Sequence, residues 1–290
     1  MEARASLSPS LLFRLGAYWQ LTKPRLSVLV VFSAGMGALL AGVADGWSIL
    51  SVLLGGYAIT SSANAANQLW ERQIDALMVR TRQRPLASGL ISPWEAVAVG
   101  GLLGLLGVLL LARLNWLCAL TAISAWLIYV FLYTPLKKAG AVAVGVGAVA
   151  GALPPVIGYW AIKPEFSFMP ALLFTLQFLW QFPHFWLIAW LARQDYQRAG
   201  IWLLPFSPDR PQANKRAVQL AAGLPLLGAL FWTPFLDWPK ALWILSLSFL
   251  LSAYTFYRIA SAPPPALRYL IPIFSAYLAL FYLGLWLISG

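Results

Sequence analysis

Nine apolar runs of about 20 residues follow one another along the chain, separated by short polar breaks. They lie at roughly 25–44, 47–70, 93–113, 115–134, 139–161, 168–192, 217–236, 240–260 and 267–288. A helix of about 20 residues spans a hydrocarbon layer of about 30 Å, and a helix satisfies its own backbone within that layer. The runs therefore predict an all-α, polytopic membrane protein with nine transmembrane helices. Interior Gly and Pro, as in GAVAVGVGAVAGALPPVIGYW, fit this reading, because neighbouring helices in a bilayer re-satisfy the backbone. A chain that is 61% hydrophobic and 10% charged is not a soluble domain.

A formal net charge of +11 raises the question of a nucleic-acid partner. Its distribution answers against one. With the N-terminus inside, 17 of the 20 Lys and Arg fall on the cytoplasmic side, leaving Arg113, Lys163 and Lys240 outside. That split is the positive-inside pattern of a multi-pass protein of the cell's inner membrane, and nine spans then carry the C-terminus to the outside. Residues 1–24 are expected to be a retained, amphipathic cytoplasmic arm on a single membrane domain covering residues 1–290. The one cysteine, Cys118, lies inside a span, so no disulfide framework is expected.

Against this apolar background, NQLWERQIDALMVRTRQRP at 67–85 stands out. Asn67, Glu71 and Asp75 are spaced by four and share one helix face, rising about 12 Å in all. They sit at a helix C-terminus, where the dipole disfavours negative charge and acids four residues apart repel each other. A positive partner is required. Two readings are open: Arg72, Arg80, Arg82 and Arg84 supply that charge in a solvated, topology-fixing loop, or the acids and amide hold a divalent cation such as Mg²⁺ while arginines clamp phosphate oxygens. A second cluster follows the sixth span, with Asp195 between Arg193 and Arg198. If the bundle closes, the two clusters form opposite walls of one cytoplasmic mouth, to which Lys137 and Lys138 add either phosphate contacts or topology charge.

His184 is the only histidine. On a continuous helix it lies about 16 Å before Asp195 on nearly the same face. It reads either as a hydrogen-bonded structural residue or as a functional group at membrane depth. Pro183 removes a backbone hydrogen bond beside it. Trp180, Phe182 and Phe185 beside it are well explained by ordinary packing.

The run from Asn67 to Pro85 resembles the first aspartate-rich motif of the UbiA superfamily of membrane prenyltransferases. LTKPRLSVLVVFSAGMG, AGALPPVIGYW, WQFPHF and DYQRAG resemble the haem-farnesylating branch of that family, so the likeness covers about residues 20–205. It implies nine helices around a central cavity open to lipid, with a diphosphate site on the cytoplasmic side. It further implies farnesyl diphosphate and haem b as substrates, and Mg²⁺ held by Asn67, Glu71, Asp75 and Asp195 as catalytic and metal-binding residues. Arg80, Arg84, Lys138 and Arg193 then correspond to diphosphate contacts and His184 to the haem contact, as an axial ligand or a porphyrin-orienting donor, with Trp180, Phe182 and Phe185 as a porphyrin wall or ordinary packing; a haem A synthase is a candidate partner. Two positions depart from the pattern. Ala199 stands where many members have a second acid, and Gln194 where related haem enzymes often have one, so the first metal half-site is the better supplied. A different acceptor ring and an organic-anion transporter are the rival readings; charges gathered at helix ends on one side disfavour the transporter.

Overall fold

The structure, a computed structural model, describes residues 11–289. Residues 1–10 of the expected arm, and Gly290, on which the expected outward C-terminus falls, lie outside the described residues. Helix α1 runs Leu11–Leu21, α2 Pro24–Leu40, α3 Gly46–Leu77, α4 Pro93–Ala112 and α5 Trp116–Leu127. Then follow α6 Val142–Ile162, α7 Phe168–Leu191, α8 Arg193–Arg198, α9 Pro211–Ala221, α10 Leu224–Trp232, α11 Trp238–Ser261 and α12 Leu270–Ser289. Among the described residues, 8 helical segments are long and apolar enough to cross a membrane, and the bent pair Phe13–Leu21 and Pro24–Leu40 makes a ninth. The all-helical, multi-pass membrane fold agrees with the nine apolar runs.

Polar side chains start several of these helices. Asp45 accepts hydrogen bonds from the backbone of Trp47 and Ser48 at the head of α3, and Asn115 accepts from Cys118 N at the head of α5. Ser92 and Glu95 form a reciprocal capping box on α4. The centre of the bundle is α6, whose membrane window is 61% buried where that of α4 is 22% buried. Its small residues let α2 approach until backbone meets backbone. A Cβ on Gly158 would overlap the Ala34 carbonyl, and one on Gly37 would overlap the Pro155 carbonyl. Gly158→Ala is therefore expected to lower the thermal midpoint in detergent by several degrees, reflecting overpacking of about 1–3 kcal/mol. Gly16→Ala, where a Cβ meets nothing within 4 Å, is the matched control and leaves the midpoint near wild type.

Two departures from the linear reading position the site. The second run was expected to end near residue 70, but α3 continues to Leu77, carrying the polar stripe into the bundle as helix. The sixth span breaks at Ala192 (φ −99°, ψ 13°) before α8. The continuous helix expected from His184 to Asp195 is thus interrupted at one residue between them.

Candidate functional site

The lower turns of α3 bury Asn67, Glu71 and Asp75, leaving them 1%, 6% and 1% exposed. Three cations from three separate elements meet this stripe. Lys23 Nζ donates to Asn67 Oδ1 at 2.8 Å, Lys137 Nζ lies 2.6 Å from Glu71 Oε1, and Arg84 Nη1 donates to both Asp75 oxygens at 2.9 and 2.7 Å. The repulsion between two acids at a helix C-terminus is thereby offset. Cations outnumber carboxylates here, which suits an anionic ligand.

Each cation is delivered by a local irregularity. Lys23 sits at the elbow between α1 and α2 with φ 48° and ψ 60°, the only positive-φ residue other than glycine among the described residues. That left-handed conformation costs a side-chain-bearing residue about 1–2 kcal/mol, so the surrounding contacts must hold it. They do: Gln68 Nε2 donates to Leu21 O at 2.8 Å, and Asn64 Nδ2 donates to Thr22 O at 3.2 Å. Lys137 follows a π-helical segment, Ile128–Tyr133, in which one extra residue per turn rotates the chain ahead of Pro135. Thr134, just beyond it, accepts from Asn67 Nδ2 at 3.2 Å, and Lys137 lies over the Tyr133 ring. Arg84 belongs to a compact loop tied back to α3 by Thr81 Oγ1, which donates to Asp75 O at 2.9 Å.

The remaining sequence candidates fall elsewhere. Asp195 accepts from the backbone N–H groups of Val79 and Arg80 at 3.4 and 3.2 Å, and from Arg198 at 3.2 Å. The two clusters do come together, but as a carboxylate gripping the arginine loop's backbone instead of two walls facing across a mouth. The Arg80 guanidinium is exposed and lies 5.8 Å from the Tyr196 ring centroid. Arg193 donates to Trp190 O at the end of the preceding helix, α7, and Lys138 is exposed. Of the four expected diphosphate contacts, Arg84 alone pairs with an acid of the stripe; Lys23 and Lys137 take the places the linear reading gave to others.

The expected four-residue metal set is not gathered in this arrangement. Among the described residues, no group of three or more His, Cys, Asp or Glu side chains is close enough to hold a metal ion. Asp195 is occupied by loop N–H groups, which accounts for its separation. The α3 stripe itself does fit a hard cation. Glu71 Oε1 is buried and, although 2.6 Å from Lys137 Nζ, has no aligned hydrogen bond. Mg²⁺ commonly takes one or two carboxylates, with substrate phosphates and water completing its shell.

His184 stands apart from the stripe, in an aromatic frame. Its ring stacks on Trp180 (centroids 5.0 Å, 16°) and meets the edges of Phe185 and Phe274 at 5.5 and 5.7 Å. Its Nδ1 is buried without a hydrogen-bond partner. Buried polar atoms generally have partners, so the unpaired nitrogen marks this ring as a candidate contact.

By fold, this is a membrane bundle of the kind seen in solved UbiA homologues. The apo homologue from Aeropyrum pernix K1 aligns with TM-score 0.73 at 17% identity, over 92% of this chain and 98% of that one. The homologue from Archaeoglobus fulgidus bound to GPP and Mg²⁺ aligns with TM-score 0.67 at 20% identity, over 93% and 99%. The chain belongs to the UbiA prenyltransferase family, matching it over residues 28–269. Its relatives include the protoheme IX farnesyltransferase of Cytophaga hutchinsonii, 46% identical over 67% of this chain and 69% of that protein. That of Flavobacterium johnsoniae is 38% identical over 90% of each.

Proposed function

We propose that this prenyltransferase moves a farnesyl group from farnesyl diphosphate to a vinyl group of haem b, with addition of water, giving haem O and diphosphate. The observation that carries the reading is the meeting of Lys23, Lys137 and Arg84 on the buried Asn67–Glu71–Asp75 stripe. Farnesyl transfer to protohaem is the activity named for the relatives in Cytophaga and Flavobacterium.

Asn67, Glu71 and Asp75 would hold Mg²⁺, as the bound cation of the Archaeoglobus homologue suggests for the family. When bound, Mg²⁺ supplies positive charge to the diphosphate oxygens as the allylic C–O bond breaks. Lys23, Lys137 and Arg84 turn from their carboxylate and amide partners to the diphosphate, stabilising the charge that grows on the leaving group. Asp195 keeps the loop bearing Arg84 in place. The apolar walls exclude bulk water until the vinyl carbon forms the new C–C bond with the allylic carbon. One water then adds to the cationic carbon left on the vinyl group and releases a proton. His184 orients the porphyrin or binds its iron through a ring nitrogen.

Diphosphate release by purified protein given farnesyl diphosphate and Mg²⁺ is expected to require haem b. Haem-independent turnover with another acceptor ring would overturn the acceptor assignment, and no release with any acceptor would favour the transporter. The site mouth faces the cytoplasm in this reading, following the 17-to-3 division of basic residues. In a Cys118→Ala background, Arg82→Cys should resist an impermeant external thiol reagent in intact cells; rapid labelling would reverse the orientation.

A further inference from the structure

We infer that α1 is a strap that sets the position of Lys23, and that Glu95, on α4 and far along the chain from α1, is its anchor. The inference rests on the diphosphate reading above and adds a positioning device to it.

The strap has two attachments. At its outer end Arg14 and Tyr18, one turn apart, both reach Glu95 Oε1: Arg14 as an ion pair and Tyr18 OH as a donor at 2.6 Å. The other Glu95 oxygen accepts from Ser92 N at 2.8 Å, so the same carboxylate that caps α4 holds α1 against it. Between these residues Ala17 and Leu21 are buried with Leu86, Ile91 and Ala96, while Phe13, Leu15 and Trp19 stay exposed on the opposite side. Residues 14, 17, 18 and 21 form one helical stripe, so the polar and apolar attachments act together.

At its inner end the strap turns into the site. Thr22 Oγ1 lies 3.2 Å from Tyr57 OH, Ser27 Oγ donates to Thr22 O at 2.8 Å, and Asn64 and Gln68 hold the last carbonyls of the elbow. Pro24 fixes the start of α2. The left-handed Lys23 between these anchors is the strained point, and strain of this kind persists only where the surroundings over-determine it. Freed from Glu95, α1 can swing, the elbow can relax to a right-handed or extended conformation, and the ammonium leaves Asn67. Asn64, Gln68 and Asn67 all lie on α3, so the elbow and the anion-binding stripe share one rigid support.

The test uses inorganic diphosphate with Mg²⁺, titrated calorimetrically into the full-length protein in detergent. Arg14→Ala with Tyr18→Phe releases the strap and leaves the Ser92–Glu95 cap intact. This double variant is expected to weaken diphosphate binding about tenfold, the effect of losing one charge-assisted contact. Lys23→Met is expected to weaken it at least as much, and combining all three changes should be no worse than Lys23→Met alone. A strap that mattered only for general stability would add its loss to that of Lys23→Met. Either that additivity or unchanged affinity in the double variant would overturn the inference. If wild-type protein itself fails to bind diphosphate, the diphosphate reading falls instead.

Discussion

Asp75→Asn is expected to reduce turnover on the order of 10²–10³-fold, as is typical of removing one electrostatic stabiliser from a site where charge develops. The carboxylate is buried and takes both of its short contacts from one Arg84 nitrogen, so an amide in its place withdraws a charge from the cation site and loosens the arginine. From the sequence, two acids at a helix C-terminus predict that removing one stabilises the ligand-free protein. The structure reverses that sign, because Arg84 already answers the charge and is left short of a partner. A stability loss of about 1–3 kcal/mol is expected instead, and circular dichroism melting of the variant measures it. Near-normal turnover at limiting Mg²⁺ would remove the metal role and leave Asp75 as half of a structural ion pair.

His184→Phe separates the two halves of the site. Phenylalanine keeps a ring against Trp180, Phe185 and Phe274 but has no nitrogen. Haem affinity is expected to fall at least tenfold, about 1.4 kcal/mol, and haem O formation to be lost. Diphosphate affinity should stay within twofold of wild type, since none of the stripe's hydrogen bonds or ion pairs involves His184. A change in the visible spectrum of bound haem would identify iron ligation, and weaker binding without it a hydrogen bond to the porphyrin. Unaltered haem affinity and product yield would take His184 out of the acceptor site. His184→Ala should repeat the loss of function, with lower stability from the space left beside Trp180.

The spans could be read from the sequence because hydropathy over about 20 residues is a strong signal. The stripe Asn67–Glu71–Asp75 was equally plain, since spacing by four survives any helical packing. What surrounds it was not. Lys137 takes the contact expected of Lys138 beyond a π-helical segment, and although Pro135 marks an irregularity in IYVFLYTPLKK, it does not tell which lysine turns inward. Asp195 grips the Val79 and Arg80 backbone across more than a hundred residues, and backbone donors carry no sequence mark. The break at Ala192 occurs without a glycine or proline at the joint, so the phase from His184 to Asp195 looked continuous. Lys23 was visible as a residue but not as a site, because its reach into the stripe depends on an elbow held by Asn64 and Gln68.

The central claim is the reaction itself, and the mass of the product tests it most directly. Purified protein is incubated with haem b, farnesyl diphosphate and Mg²⁺, and the extracted pigments are resolved by mass spectrometry. The account predicts a single new haem heavier than haem b by one farnesyl group plus one hydroxyl, absent with Asp75→Asn and with His184→Phe. Unchanged haem b beside a farnesylated quinone precursor, when both acceptors are supplied together, would contradict it.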